Sequence, residues 1–338
     1  MKRSPRVAIN GFGRIGRMVF RQLAAREDIR CVAINDISPP QTVAYLTRYD
    51  TVHGRFPGEV VLADGTLRAG TQQPRLLEQK DPAQLPWKQL DVDVVIEATG
   101  RFRKREEIAR HLEAGARRVI LTVPAKDAID ATVVLGVNDA LLRPEHRLIS
   151  NASCTTNCLA PVAKVLHERF GIVKGIITTV HAYTNDQRLA DVPHSDLRRS
   201  RAATENIIPT TTGAARAVGV VLPELAGKLD GIAMRVPVPD GSIVDLVAEL
   251  ARPTTVAEIN AAMREAAGKP PLAQILEYSE EPLVSSDVIR NPHSAIFDAP
   301  CTRVLGGNFV KVIAWYDNEW GYSSRVVDLV FRLAALDS

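Results

Sequence analysis

Arg6-Val-Ala-Ile-Asn-Gly-Phe-Gly-Arg-Ile-Gly16 decides the fold. The apolar run Arg6 to Asn10 leads into G-x-G-x-x-G, and Ile15 to Leu23 follows as a predicted helix. In that strand–turn–helix setting each glycine has a duty. Gly11 allows the tight turn, Gly13 lets a pyrophosphate approach the backbone, and Gly16 lets helix pack on strand. The helix N-terminus offers N–H groups and dipole to phosphates. Asp36 closes a second apolar run, Ile29 to Asn35, about 20 residues beyond Gly16, where an acid binds a ribose 2′-hydroxyl. A carboxylate there repels a 2′-phosphate and favours NAD over NADP. The bland alternatives are a Gly-rich turn without nucleotide and, for Asp36, a turn acid before Ser38-Pro-Pro40.

Working outward, Val92 to Ala98, Arg118 to Val123 and Thr132 to Val137 read as further buried strands, with Lys104 to Ala114 helical between the first two. Strands alternating with helices imply a parallel sheet covered on both faces. The expected class is α/β, a Rossmann-type doubly wound sheet. Thr99-Gly100 and Thr122 end strands of this sheet, at the edge where ligands bind, though either reads equally as a plain turn or cap. Near residue 150 the texture changes. Thr155 to Phe170 is a predicted helix, with Leu159, Val162, Ala163, Leu166 and Phe170 on one face, although Pro161 should kink it. Val173 to His181 is β-rich, and Ala182 to Ala203 is polar and Arg-rich. Gly231 to Pro237, Ser242 to Leu250 and Gly306 to Tyr316 alternate, as strands with one wet face do. Ser323 to Leu336 is an amphipathic helix. The expected domains are 1–150, nucleotide-binding, and 151–316, an α+β catalytic domain on a largely antiparallel or mixed sheet.

The chain has 338 residues, 46% apolar and 24% charged, with a net charge of +3. That balance gives no footing for nucleic acid or a membrane surface. No apolar run reaches the roughly 18 residues of a spanning helix, and the N-terminus has no signal-peptide core. Four cysteines (31, 154, 158 and 301) make neither a disulfide framework nor a zinc spacing, so no metal is expected, and a reducing cytoplasm fits. The sequon Asn151-Ala-Ser153 has no bearing without secretion.

Cys154, in Ser150-Asn-Ala-Ser-Cys-Thr-Thr-Asn-Cys158, opens the predicted helix beside Ser and Asn, residues that cap helix starts. A thiolate is favoured at the positive end of a helix. A packed small hydrophobe is the other open reading. A base or cation is needed to ionise a thiol at neutral pH. His181, ending Ile176-Ile-Thr-Thr-Val180, could be that base or a structural histidine. Beyond it lie Thr184, Arg198, Arg199, Arg201, Thr210, Thr211, Thr212 and Arg235, suited to phosphate oxygens or to a solvated loop.

Four segments carry a resemblance: Ala8 to Arg17, Ser150 to Cys158, Thr179-Val-His-Ala-Tyr-Thr-Asn-Asp-Gln187 and Trp315-Tyr-Asp-Asn-Glu-Trp-Gly-Tyr322. Together the chain, from Arg6 to about Leu336, resembles phosphorylating glyceraldehyde-3-phosphate dehydrogenases. The resemblance implies oxidation of glyceraldehyde 3-phosphate with NAD and inorganic phosphate in glycolysis, through a thiohemiacetal and a thioester. It makes Cys154 the nucleophile and His181 its base. It assigns Gly11, Gly13, Arg14, Ile15, Gly16, Asp36, Lys80, Thr122, Asn318 and Tyr322 to the cofactor. Thr184 and Arg235 match the site for the substrate's own phosphate. Ser153, Thr155, Arg199, Thr212 and Gly213 match other substrate or inorganic-phosphate contacts, with Arg198 adjacent to Arg199. It also implies a homotetramer, with the Arg-rich segment lining a neighbour's cofactor pocket. The C-terminal helix, 317–338, would rejoin the first domain.

Thr122-Val-Pro-Ala-Lys126 stands where Ser-Ala-Pro-Ala-Lys is more usual and keeps the hydroxyl; Pro239-Asp-Gly-Ser242 replaces a Pro-Asn-Val-Ser-like turn. Val192-Pro193 resembles the pair in NAD-preferring members. Two alternatives stand beside this reading: an erythrose-4-phosphate dehydrogenase, which usually departs at Thr184, and a silent NAD-binding protein of the same fold, which needs none of Cys154, His181, Thr184 or Arg235.

Overall fold

The computed structural model describes residues 3–337. The chain divides into two compact units. One holds residues 3–133, Ala140–Ser153 and 323–337; the other holds Val134–Asp139 and Cys154–Tyr322.

The first unit is built on nine strands: β1 (Arg6–Asn10), β2 (Arg30–Asn35), β3 (Val60–Ala63), β4 (Thr66–Ala69), β5 (Arg75–Leu77), β6 (Val94–Glu97), β7 (Arg118–Leu121), β8 (Ala131–Thr132) and β9 (Leu148–Ser150). Their order is β3-β4-β5-β2-β1-β6-β7-β9-β8. From β5 to β8 every pairing is parallel. β1, β6 and β7 are buried almost throughout, because helices cover both faces of such sheets. The helices are α1 (Arg14–Leu23), α2 (Pro40–Arg48) and α3 (Arg105–Glu113).

One predicted strand fails. Of Thr132 to Val137 only Thr132 is in a strand, as the last residue of β8, and residues 134–139 belong to the second unit. The segment turns instead: Val134 N–H donates to Asn138 Oδ1 at 2.8 Å and Gly136 N–H to Asp139 Oδ1 at 2.9 Å, with Gly136 at φ +80°. A left-handed residue suits a turn and breaks a strand. The place beside β7 is taken by β9.

The second unit carries β10 (Ile172–Ala182), β11 (Ile208–Thr211), β12 (Leu229–Val236), β13 (Ser242–Leu250), β14 (Leu276–Ser279), β15 (Ala295–Asp298), β16 (Arg303–Leu305) and β17 (Phe309–Tyr316). The sheet is mixed: β10 pairs with β12 in parallel and with β13 antiparallel, and β13 pairs antiparallel with β17. The burial of β13 alternates along its whole length, as its sequence does. Its helices are α4 (Cys154–Phe170), α5 (Ala214–Val221) and α6 (Val256–Ala267). α4 runs through Pro161 without a break and is buried on nearly every side over its first three turns. The lost backbone bond at Pro161 is tolerated where packing holds the helix in place. The boundary at Tyr322 falls inside α7 (Trp320–Ala334).

Candidate active site

In the first unit Gly11, Asp36, Thr99 and Thr122 lie just past the carboxyl ends of β1, β2, β6 and β7 in turn. Gly11 has φ +91°, and a Cβ there would lie 2.5 Å from Thr99 N and 2.7 Å from Thr99 Cα. Only glycine fits such a conformation and such an approach. Gly13 is exposed at the N-cap of α1, with nothing within 4 Å of a Cβ, so the helix terminus is open to a ligand. Gly16 is the packing glycine, since its Cβ would lie 2.1 Å from Gly11 O. Asp36 accepts from Phe12 N–H at 2.6 Å and from Ser38 N–H at 2.8 Å, which ties the acid to the glycine turn. Thr122 Oγ1 donates to Glu97 O at 3.0 Å.

Arg14 donates to the Asp50 carboxylate from both terminal nitrogens, at 2.5 and 3.1 Å. Burial alone would raise the Asp50 carboxyl. The Arg14 bond and the His53 and Val52 N–H groups win, and it falls to about 2. Asp50 had no sequence signal, because its partner lies 36 residues away. Ile15 is half-buried, and Lys80 is exposed in the loop after β5.

In the second unit the geometry follows from strand register. His181 on β10 is the direct partner of Arg235 on β12, and parallel partners share a face. Cys154 is the first residue of α4, and its Sγ lies 3.5 Å from His181 Nε2. His181 Nδ1 lies 2.7 Å from Ala182 O and 2.6 Å from Arg235 Nη1, which itself donates to Ala182 O at 2.9 Å. Arginine only donates, so with Arg235 in this position Nδ1 is the acceptor. Burial, then the Arg235 charge, pushes His181 down to about 3, so the ring is neutral. Burial likewise pushes the Cys154 thiol up, against the pull of Arg235 and the Thr155 N–H. The helix terminus alone therefore does not offset burial, which takes away the water that the anion needs.

Thr184 donates its hydroxyl to Asp186, and Arg199 pairs with the same carboxylate. Burial of Asp186 acts to raise its carboxyl, but Thr184, Arg199 and Arg235 hold it below its ordinary value. An internal carboxylate thus takes the donors that an anionic ligand would use. Arg198 is exposed, while Arg199 is half-buried. Thr212 and the exposed Gly213 lead into α5, with Ala214 N–H donating to Thr212 Oγ1 at 3.2 Å. Asn318 Oδ1 accepts from Ser242 Oγ at 2.6 Å, and Ser242 Oγ accepts from Ala182 N–H at 3.1 Å. Tyr322 is buried, and Ser153 is half-buried at the end of the first unit.

The buried Tyr316 was not singled out from the sequence, although it lies in a motif that was. Its hydroxyl bonds Thr155 Oγ1 at 2.9 Å and Thr179 Oγ1 at 3.0 Å, and its ring meets His181 edge-on. It joins the start of α4 to β10 and so helps fix the spacing of thiol and imidazole. Cys158 is fully buried, its Sγ 3.8 Å from Ala314 O, and burial pushes its thiol far up, as expected of a packing residue.

Residues 5–105 match the family model described as the NAD binding domain of glyceraldehyde 3-phosphate dehydrogenase, and residues 153–318 match that of its C-terminal domain. The chain is 57% identical over 331 residues to the glyceraldehyde-3-phosphate dehydrogenase of Geobacillus stearothermophilus, covering 98% of each chain. It is 56% identical to glyceraldehyde-3-phosphate dehydrogenase 2 of Bacillus subtilis (98% of this chain, 97% of the relative). The Pseudomonas aeruginosa glyceraldehyde-3-phosphate dehydrogenase is 54% identical over 333 residues, 98% of each chain.

Proposed function

The chain belongs to the glyceraldehyde-3-phosphate dehydrogenase family, and we propose that Cys154 and His181 carry its reaction, the NAD-dependent oxidation and phosphorylation of glyceraldehyde 3-phosphate. The observation that carries this assignment of roles is the thiol of Cys154 at a helix start, 3.5 Å from a neutral imidazole. NAD, when bound, takes up the hydride. The Gly11 turn, the open start of α1 and the tethered Asp36 suit its pyrophosphate and ribose.

Cys154 Sγ attacks the aldehyde carbon and forms the C–S bond as the carbonyl π bond opens, and the thiol proton passes by way of His181 Nε2 to the carbonyl oxygen, giving the thiohemiacetal hydroxyl. His181 Nε2, free again, takes that hydroxyl proton as the hydride leaves, and the product is a thioester on Cys154. Inorganic phosphate displaces the thiolate and gives an acyl phosphate. The N–H groups at the start of α4 face the developing oxyanion. Thr184 and Arg235 hold the substrate's phosphate, and Arg199, Thr212 and Gly213 the inorganic one; Ser153 and Thr155 serve the same ends. Arg14, Ile15, Lys80, Thr122, Asn318 and Tyr322 serve the cofactor. A phosphate on Arg235 draws it off His181 Nδ1. The ring can then carry its proton on Nδ1, donate it to Ala182 O and leave Nε2 as base.

Cys154→Ser tests the scheme. NADH formation from glyceraldehyde 3-phosphate should fall by a factor on the order of 10⁴ or more, with NAD binding retained. A variant that still gives a burst of one NADH per subunit removes Cys154 from the role. Erythrose 4-phosphate in parallel assays distinguishes the neighbouring substrate.

The assembly we infer is a homotetramer. Ile176 and Ile232, exposed on neighbouring strands β10 and β12, Leu189 and Leu197 in the Arg-rich segment and Ile207 just beyond it leave apolar surface that a second copy would cover. Four free cysteines suit the reducing cytoplasm. Among the described residues no helix is long and apolar enough to cross a membrane.

A further inference from the structure

Beneath the Gly11 turn lies a buried polar chain that the reaction scheme does not use. Glu97, the last residue of β6, and His111, on α3, have no solvent exposure. His111 Nε2 is 3.0 Å from Glu97 Oε2, and Asn10 Nδ2 donates to the same oxygen at 2.6 Å. Trp87 Nε1, fully buried, lies 2.9 Å from His111 Nδ1. An indole N–H can only donate, so Nδ1 is the acceptor and the ring proton sits on Nε2, aimed at Glu97. The other carboxylate oxygen accepts from Thr99 N–H at 2.9 Å and from the Thr99 hydroxyl. Glu97 therefore accepts from four donors, two on each oxygen, which is how a buried carboxylate is accommodated.

The far end of the chain is the nucleotide turn. The Thr99 backbone is what a Gly11 Cβ would strike, at 2.5 and 2.7 Å, so Thr99 and Gly11 are packed backbone to backbone. The near side reaches the same glycine. Asn10 precedes it, Asn35 Nδ2 donates to Asn10 Oδ1 at 2.7 Å, and Gly11 N–H donates to Asn35 O at 2.8 Å. A glycine turn that receives a pyrophosphate through its backbone tolerates little displacement.

We propose that Trp87, His111 and Glu97 form a positioning chain for NAD, in which Trp87 fixes the His111 tautomer, His111 and Asn10 fix one oxygen of Glu97, and the other oxygen holds Thr99 against Gly11. None of the three is a catalytic residue, and each acts through the next. The proposal rests on the NAD reading of the Gly11 turn.

Glu97→Gln is nearly isosteric, but its NH₂ group must face two donors whichever way the amide turns. The KM for NAD should rise about tenfold, with kcat at saturating NAD within about twofold of the parent, the loss of roughly one charged hydrogen bond at the turn. His111→Leu should do the same, and His111→Gln, which restores an acceptor for Trp87 and a donor for Glu97, should recover most of the affinity. A folded Glu97→Gln enzyme with the parental KM for NAD overturns the proposal. So does a fall in kcat that tracks a lowered melting temperature at unchanged KM, because that is a purely structural role. Should Glu97→Gln fail to fold, Trp87→Phe removes one donor only and must raise the KM for NAD by about threefold, half a charged hydrogen bond or less. The parental KM in that variant overturns the proposal equally. Asp36→Ala separates the two levels: if it leaves NAD binding intact, the nucleotide reading fails; if it weakens NAD while Glu97→Gln does not, only the positioning chain fails.

Discussion

The carboxyl edge of the first sheet and the His181–Arg235 edge of the second handle charge in opposite ways. At the first, Glu97 is saturated by four donors and Asp36 is tied by two backbone N–H groups. At the second, Arg235 and Ala182 O compete for His181 Nδ1, and Asp186 takes donors that a phosphate would use. The first is a finished template that gains by not moving. The second holds its groups in provisional pairs that a ligand can exchange. A binding turn must be preorganised, whereas a reaction that moves protons needs pairings close to balance.

The sharpest way to break this contrast is Arg235→Gln. If Arg235 serves both the substrate's phosphate and the state of His181, kcat/KM for the aldehyde should fall about 100-fold or more, the scale for removing a buried charged partner. The NAD KM should stay put. A loss confined to the NAD KM would mean that the two edges are not divided as described. Asp36→Ala, the corresponding deletion at the template edge, should raise the NAD KM about tenfold, the scale of one hydrogen bond to a charged group, with little change in the KM for the aldehyde. Steady-state kinetics with each substrate varied in turn measures both.

The same contrast explains what could be read from the sequence. β1, β2, β6 and β7 fall within a few residues of their apolar runs, and the glycine turn is local: strand, three glycines and helix lie within Arg6–Leu23. Local spacing carries the physics there, so it could be read without the fold. The Thr132–Val137 run misled because apolar residues that cross to another unit look like a strand. The second edge depends on register between β10 and β12, 54 positions apart at His181 and Arg235. Periodicity cannot report such pairings, and only the resemblance brought those residues together. Asp186, Tyr316 and the Glu97–His111–Trp87 chain went unremarked for the same reason. Each is a polar residue whose meaning is its partner, and the folded chain brings those partners in from other elements, as it brings Arg199 to Asp186 and Thr155 to Tyr316.

The smallest effect vanishes at neutral pH, and it tests the provisional edge alone. His181 is held at about 3 by burial and then by Arg235, below the 6.5 of a free imidazole. An unfolded chain therefore binds a proton near pH 6.5 that the folded chain refuses. The stability from keeping this ring neutral is present above that pH and is lost as pH falls from 6.5 toward 3. For one fully buried group the slope is at most about 1.4 kcal/mol per pH unit. His181→Asn cannot titrate, so its denaturation midpoint should change less between pH 6.5 and 4.5 than the parent's, while the two run parallel above pH 7.5. Parallel curves in acid as well would mean that His181 takes up its proton as readily in the folded chain as in the unfolded one. Burial and Arg235 would then not hold the ring neutral, and the provisional pairing at the second edge would lose its basis.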